Sequence, residues 1–196
     1  MDKLKECAEA YANLLNYEYN ISIGRKGKRI DICLIFSKEH FHHLIGLHYL
    51  TDRRNLKQNR TNIFDYILSD KLSFQEISSS SLFFYINSRL SLFPHIEDFF
   101  DSNGLVFKFN NKEVPGTRME AEFILENTVD SNIAYVCIDK DNKSDAFFCR
   151  SFFPKENIDY TARHIKYTLL YKEKVNIITH EKIIQYDKLS PRDPNK

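Results

Sequence analysis

The run Ile133-Ala134-Tyr135-Val136-Cys137-Ile138-Asp139-Lys140-Asp141-Asn142-Lys143-Ser144-Asp145-Ala146-Phe147-Phe148-Cys149-Arg150-Ser151-Phe152-Phe153 decides the fold class of this chain. Its ends are rich in β-branched and aromatic residues and its middle, Asp139 to Ser144, is polar, the pattern of two antiparallel strands joined by a turn. Upstream, Leu105-Val106-Phe107-Lys108-Phe109 alternates, Asn110-Asn111-Lys112 and Pro115-Gly116 mark turns, and Ala121 to Glu126 reads equally as strand or short helix. Downstream, Ile165 to Lys172 fits either period, and its β-branched and aromatic bias decides for a strand. Ile177-Ile178 and Ile183-Ile184 add weaker strand material. An antiparallel meander is thus expected over about residues 104–188, followed by a flexible tail over 189–196.

The first half has a helical period. Asp2 to Asn16 sets Leu4, Cys7, Ala8, Tyr11, Leu14 and Leu15 on one stripe, with Asp2 as N-cap. Tyr17 to Ile23 and Arg29 to Phe36 alternate around Gly24-Arg25-Lys26-Gly27, a hairpin with a basic tip. Further helices are expected from Ser37 to about Thr51, over Asn62 to Ser69, over Ser78 to Phe93 and, past Pro94, over Ile96 to Phe100. The fold class predicted is α+β, with N-terminal helices (about 1–103) and a β-hairpin packed against a C-terminal antiparallel sheet, in one domain spanning 1–188.

Composition bounds the function. A chain of 196 residues, 42% hydrophobic, can bury a real core. A net charge of +1 argues against coating nucleic acid through a global field and leaves local basic patches open. No apolar run is long enough to cross a bilayer, and Met1 to Glu6 lacks the apolar core of a signal peptide, so a cytoplasmic location without a membrane partner is expected. Cys7, Cys33, Cys137 and Cys149 lack Cys-x-x-Cys spacing and read as reduced core residues. Phosphate-loop, dinucleotide-binding, nucleophile-elbow and His-Glu-x-x-His signatures are all missing from the sequence.

Chemistry concentrates in Phe41-His42-His43-Leu44-Ile45-Gly46-Leu47-His48-Tyr49-Leu50. On one continuous helix Phe41, Leu44, Ile45 and His48 share a face, while His43 lines up with Leu47 and Leu50 on another. His48 reads as a hydrogen-bonded core residue, and His43 is open between that role and catalysis. Gly46 inside a helix points to close packing against another element. His40 and His43 are three apart, but the spacing suggests no third ligand, so neither a metal nor another cofactor is expected.

Arg150 and Ser151 interrupt Phe147-Phe148 and Phe152-Phe153. Strict alternation puts them on opposite faces, so at most one meets the histidine helix. Arg118, Lys172 and Lys174 are further cations near strand ends. Arg25, Lys26, Lys28 and Arg29 at the hairpin tip read as contacts to a phosphate backbone or as a solvated turn. Arg53 and Arg54 open a basic stretch that is either a loop beside the site or a surface connection. An imidazole facing Arg150 or Ser151 suits metal-free RNA cleavage, in which the ribose 2′-hydroxyl is itself the nucleophile. The competing readings are a catalytically inactive RNA- or protein-binding module on the same fold, and a metal-assisted DNA nuclease.

The stretch Phe41 to Leu50, with Ser151-Phe152-Phe153-Pro154 and Tyr167-Thr168-Leu169-Leu170-Tyr171-Lys172-Glu173-Lys174, resembles the fourth group of the phage barnase-EndoU-colicin-RelE-like nucleases, over about Tyr19 to Tyr186. The resemblance implies helices packed on an antiparallel sheet that forms the RNA-cleaving face. It also implies a toxin-like, metal-independent ribonuclease of phage or mobile-element origin, with RNA as substrate and an antitoxin or immunity protein as partner. Residue by residue, the family's helix histidine falls on His43 and its Ser-Phe-Phe strand end on Ser151 to Phe153. His43 is then the expected general acid or base, with Arg150, Arg118 or Lys172 on the phosphate and Ser151 beside them.

Overall fold

Alternation of apolar residues carries further around this molecule than a meander. A computed structural model describes residues 2–58, 62–117, 119–142 and 144–191. The chain opens on α1 (Lys3–Leu14), where the Asp2 carboxylate accepts from the Leu4 and Lys5 amides; the helix buries Leu4, Cys7, Ala8, Tyr11 and Leu14 of the expected stripe, and Leu15, its C-cap, is half-buried. The hairpin β1 (Tyr17–Arg25) and β2 (Lys28–Ile35) follows. Its turn is only Lys26-Gly27, both at positive φ (50° and 76°), the two-residue geometry that matches strand twist, so Gly24 and Arg25 belong to the strand.

Short helices come next: α2 (Lys38–Leu44), α3 (Arg54–Gln58), α4 (Ile63–Leu68), α5 (Phe74–Ser78), α6 (Asn87–Leu92) and α7 (Ile96–Asp101). The single helix expected over Ser78 to Phe93 is instead split. A Ser73/Glu76 capping box starts α5, which ends at Ser78, and a 3-10 turn (Phe83–Tyr85) precedes α6. Serine hydroxyls cause the break by competing for backbone partners: Ser80 Oγ donates to Asp52 and accepts from the Leu82 amide.

The strands β3 (Leu105–Lys108), β4 (Phe123–Val129), β5 (Asn132–Lys140), β6 (Phe147–Pro154), β7 (Ile165–Asn176) and β8 (Lys182–Asp187) complete the chain. The ambiguous segments Ala121 to Glu126 and Ile165 to Lys172 both contribute strand. Among the described residues the order β1-β2-β6-β5-β4-β3-β7 closes on itself through β1–β7, giving a seven-stranded barrel with β8 appended to β7. The sheet is therefore not a C-terminal layer with a hairpin packed on it, because β1 and β2 are staves of the barrel. Nor is it purely antiparallel, since β2 runs parallel to β6 (Leu34↔Phe147, Ile35↔Phe148). Closure follows from the length of β7, which pairs β3 over residues 165–167 and β1 over 168–176, leaving neither neighbour with an open edge there.

Period-two alternation fills two cores. Phe123, Leu125, Ala134, Val136, Ile138, Phe147, Cys149 and Phe152 join residues of β1, β2 and the helices, with Phe152 edge-on to Phe93 and Phe99. Ile124, Tyr135 and Cys137 point the other way and pack with Phe107, Phe109 and Val114. Each large side chain so buried contributes about 1.5–3 kcal/mol, which makes β4 and β5, covered on both faces, the rigid wall against which a site can be held. The four cysteines are free, and burial pushes the Cys7 thiol up to about 12. Among the described residues no helix is long and apolar enough to cross a membrane.

Candidate active site

The segment 41–50 is not one helix. α2 stops at Leu44, Gly46 takes φ +84°, and Leu47–Tyr49 form a 3-10 turn. A Cβ on Gly46 would stand 2.8 Å from Ile86 Cγ2 and 3.3 Å from Arg89 Nη1, so left-handed backbone and close packing on α6 both require glycine. The reversal brings His48 back beside His43, ring centroids 4.6 Å apart, where a continuous helix would hold them on separate faces. Burial is also redistributed: His42 is the buried histidine at 2% exposure, His48 is half-buried and His43 exposed. One ring nitrogen from each of His42, His43 and His48 lies within 4.8 Å of the other two. A third imidazole therefore joins through the chain reversal and not through the His40/His43 spacing; His40 stacks on Phe148 at 4.7 Å.

The C-terminal carbonyls of α2 are met by Arg89 of α6, whose Nη1 donates to His43 O and Leu44 O, each at 3.2 Å. This guanidinium is 6% exposed, and its carbon lies 5.5 Å from the Tyr49 ring centre and 5.9 Å from that of Phe153. Burial lowers its pKa and the Tyr49 hydroxyl opposes that shift; an arginine remains charged at neutral pH in either case.

The strand wall departs from alternation at one place. Ile138 pairs with Cys149 and Cys137 with Ser151, so Arg150 is the extra residue of a β-bulge. A bulge re-aims side chains, and here Arg150 and Ser151, which strict alternation would put on opposite faces, both line the cleft that His43 lines. Arg150 donates to Asp139 (2.8 Å) and Glu120 (3.0 Å), which hold its fork in place.

These parts enclose a cleft of about 710 Å3, with His43, His48, Arg89, Arg150 and Ser151 on its walls. A row of rings leads outward from it: His43, His48 (4.6 Å), Tyr49 (4.1 Å), Tyr85 (6.2 Å) and Phe84 (4.0 Å), with Phe84 and Tyr85 exposed. The segment 156–160 forms another side of the cleft. It is tied down by Asp159, whose carboxylate accepts from the Thr161 amide and hydroxyl, from Tyr135 and from Lys155. The Thr161 bonds hold the Asp159 pKa well below the usual carboxylate range.

Other expected site residues lie elsewhere. Lys172 is buried away from the cleft, donating to Phe100 O and to Ser102 O (2.6 Å), and burial lowers its pKa to about 8. Arg25, Lys26, Lys28 and Arg29 sit at the far hairpin tip, where Arg29 pairs with Asp31 at 2.7 Å. Arg53 bonds Ser79 and Arg54 is exposed at the start of α3; neither lines the cleft. Arg118 falls outside the described residues, between Thr117 and Met119, which line the cleft. Arg89 was not read from the sequence as a site residue, although an arginine on the apolar stripe Ile86, Leu90, Phe93 is the signal that marks it. Chemically, the cleft offers imidazoles for proton transfer, two guanidiniums for an anion, and a line of rings for planar groups.

A family model described as phage-Barnase-EndoU-ColicinE5/D-RelE like nuclease4 matches residues 3–189. No curated protein and no solved structure matches the chain significantly.

Proposed function

This chain belongs to that nuclease family, and from this premise we propose that it is a metal-independent endoribonuclease acting on single-stranded RNA in the cleft beside His43. One imidazole of the His43–His48 pair, neutral, takes the proton of a ribose 2′-hydroxyl as that oxygen attacks the adjacent phosphorus. The other, protonated, gives its proton to the departing 5′-oxygen as the P–O bond breaks. The products are a 2′,3′-cyclic phosphate and a 5′-hydroxyl. Arg89 and Arg150 neutralise the charge that grows on the phosphorane, Arg150 exchanging a carboxylate partner for the phosphate.

The observation that carries this reading is the convergence of two imidazoles and two guanidiniums on one cleft. The ring row from His48 to Phe84 supports a single-stranded substrate, since unpaired bases stack on aromatic side chains for about 1–3 kcal/mol each. Glu120 and Glu156 in the same cleft offset its cations, in keeping with a net charge of +1 and recognition by local contacts. A binding-only module would be favoured by separation of His43, Arg150 and Ser151; their shared cleft supports catalysis instead. The single nuclease unit over residues 1–188, the cytoplasmic and toxin-like setting, the mobile-element origin and an antitoxin or immunity partner belong to the same proposal and rest on the family.

Cleavage of a mixed-sequence single-stranded RNA in excess chelator, with analysis of the ends, tests it. Cyclic phosphate ends with wild type, formed at least about a hundredfold more slowly by His43→Ala, are expected. Loss of all cleavage in chelator would refute metal independence, and equal cleavage by His43→Ala would refute the assignment of the site.

A further inference from the structure

We propose that His42, His43 and His48 also form a binding site for a borderline transition-metal ion, Zn2+ foremost, and that its occupancy switches the cleft off. The binding claim stands on the geometry alone; the inhibition rests on the function proposed above.

Three features define the site. First, a ring nitrogen from each histidine lies within 4.8 Å of the other two. Tetrahedral Zn–N bonds of about 2.0–2.1 Å need nitrogens about 3.3 Å apart, so small side-chain rotations close the set. Second, the backbone that presents the histidines is fixed. His42 and His43 end α2, His48 lies in the 3-10 turn, and Gly46 between them is pinned by left-handed geometry against Ile86 and Arg89. Third, burial is graded from His42, at 2% exposure, through half-buried His48 to exposed His43, so the open side of the trio meets the cleft that His43 and His48 line. Three donors on one side and solvent on the other is the arrangement that leaves a fourth position for water or a phosphate oxygen.

The donor set selects the ion. Three imidazoles suit Zn2+, Cu2+, Ni2+ or Co2+, whereas Mg2+ and Ca2+ demand carboxylate or carbonyl oxygen, which the trio does not supply. When His43 and His48 donate their lone pairs to an ion, neither can accept the 2′-hydroxyl proton. A reaction that needs no metal is then inhibited by one.

The test is titration of the metal-stripped full chain with Zn2+, read by competition with a chromophoric chelator, and with Co2+, read by its visible spectrum. One ion per chain, a tetrahedral Co2+ spectrum and no Mg2+ binding are expected. His48→Ala and His43→Gln should each weaken Zn2+ binding at least tenfold, while the distant His180→Ala leaves it unchanged; thermal melts establish that the variants are folded. These two positions are chosen because buried His42 is the one whose loss endangers folding. Absence of saturable Zn2+ binding, or binding indifferent to both variants, overturns the site. In the RNA assay Zn2+ should suppress cleavage at least tenfold and chelator should restore it. Binding without suppression overturns the switch. An inactive chain in chelator refutes the function proposed above and leaves the binding result to be judged by itself.

Discussion

Two buried cations close two helix ends in this molecule, and only one of them faces the cleft. Arg89 donates to the carbonyls of His43 and Leu44 at the end of α2, and Lys172 to those of Phe100 and Ser102 around the end of α7. The device is the same: a positive charge set against the partial negative charge and unpaired carbonyls of a helix C-terminus. The surroundings differ. Lys172 sits with Lys174, which itself pairs with Glu97 and Asp101, in a closed polar cluster between β7 and α7. Arg89 shares a wall with two histidines and a row of rings that opens outward. A fork of five donors can hold two carbonyls and still present several N–H groups to an anion, whereas an ammonium that donates to two carbonyls keeps a single one. A buried cation marks a site only where its remaining donors have somewhere to point.

Removing each cation separates the roles. Arg89→Ala should destabilise the fold by about 2–4 kcal/mol, since it strips the buried Leu44 carbonyl and the part-buried His43 carbonyl of their donor, and should lower kcat/KM for RNA by about 10²–10³. Arg89→Lys should recover most of the stability in denaturant titration and little of the cleavage, because it keeps the charge and loses the fork. Full cleavage by Arg89→Lys would erase the distinction between the two buried cations.

Lys172→Met should leave cleavage unchanged and alter the pH dependence of stability instead. The Lys172 pKa is lowered by burial from 10.5 to about 8. Below about 8 both folded and unfolded chains hold the proton and the burial cost is fully present. Between about 8 and 10.5 the unfolded chain still holds it and the folded chain has released it, so wild type gains stability relative to Lys172→Met as pH rises through that window. Denaturation midpoints of the two proteins from pH 7 to 11 measure the gain.

Smaller effects follow at the periphery. The Asp159 pKa is lowered from 3.8 by its bonds to Thr161, so its contribution is present above that value and lost as pH falls below it. Asp159→Asn should remove this acid sensitivity and raise KM a few-fold by freeing the segment that carries Tyr160; proteolysis of the segment against pH reads it. Lys26→Ala with Lys28→Ala, at the hairpin tip, should change RNA affinity less than about twofold and the salt slope by less than about one ion. A larger loss would restore the tip to the RNA path.

What the sequence disclosed tracks what is local. Strand periodicity marked β1, β2, β3, β5 and β6, residue bias decided β7, β4 stayed open between strand and short helix, and the apolar stripe and Asp2 cap marked α1. Closure did not show, because β1–β7 pairing and the parallel β2–β6 contact join segments more than a hundred residues apart. His43, Arg150 and Ser151 were legible as residue types in odd places. Their geometry was not, because two single-residue irregularities set it: Gly46 at positive φ unites His43 with His48, and the bulge at Arg150 turns two neighbours to one side. Periodicity assumes regular elements and misassigns faces wherever a bulge or a left-handed residue intervenes. Lys172 differs for another reason: a cation near a strand end carries no local sign of burial, and tertiary packing buries it away from the cleft.

The most direct test of the central claim is cleavage of single-stranded RNA by wild type and His43→Ala in excess chelator. His43 is exposed, so its truncation should shift stability by no more than about 0.5 kcal/mol, and a general acid or base contributes about 10²–10⁴ in rate. A folded variant with cleavage reduced at least a hundredfold, and wild-type products ending in 2′,3′-cyclic phosphate, is the result predicted. Equal rates for the two proteins, or a wild type inert until a metal is added, would contradict the account.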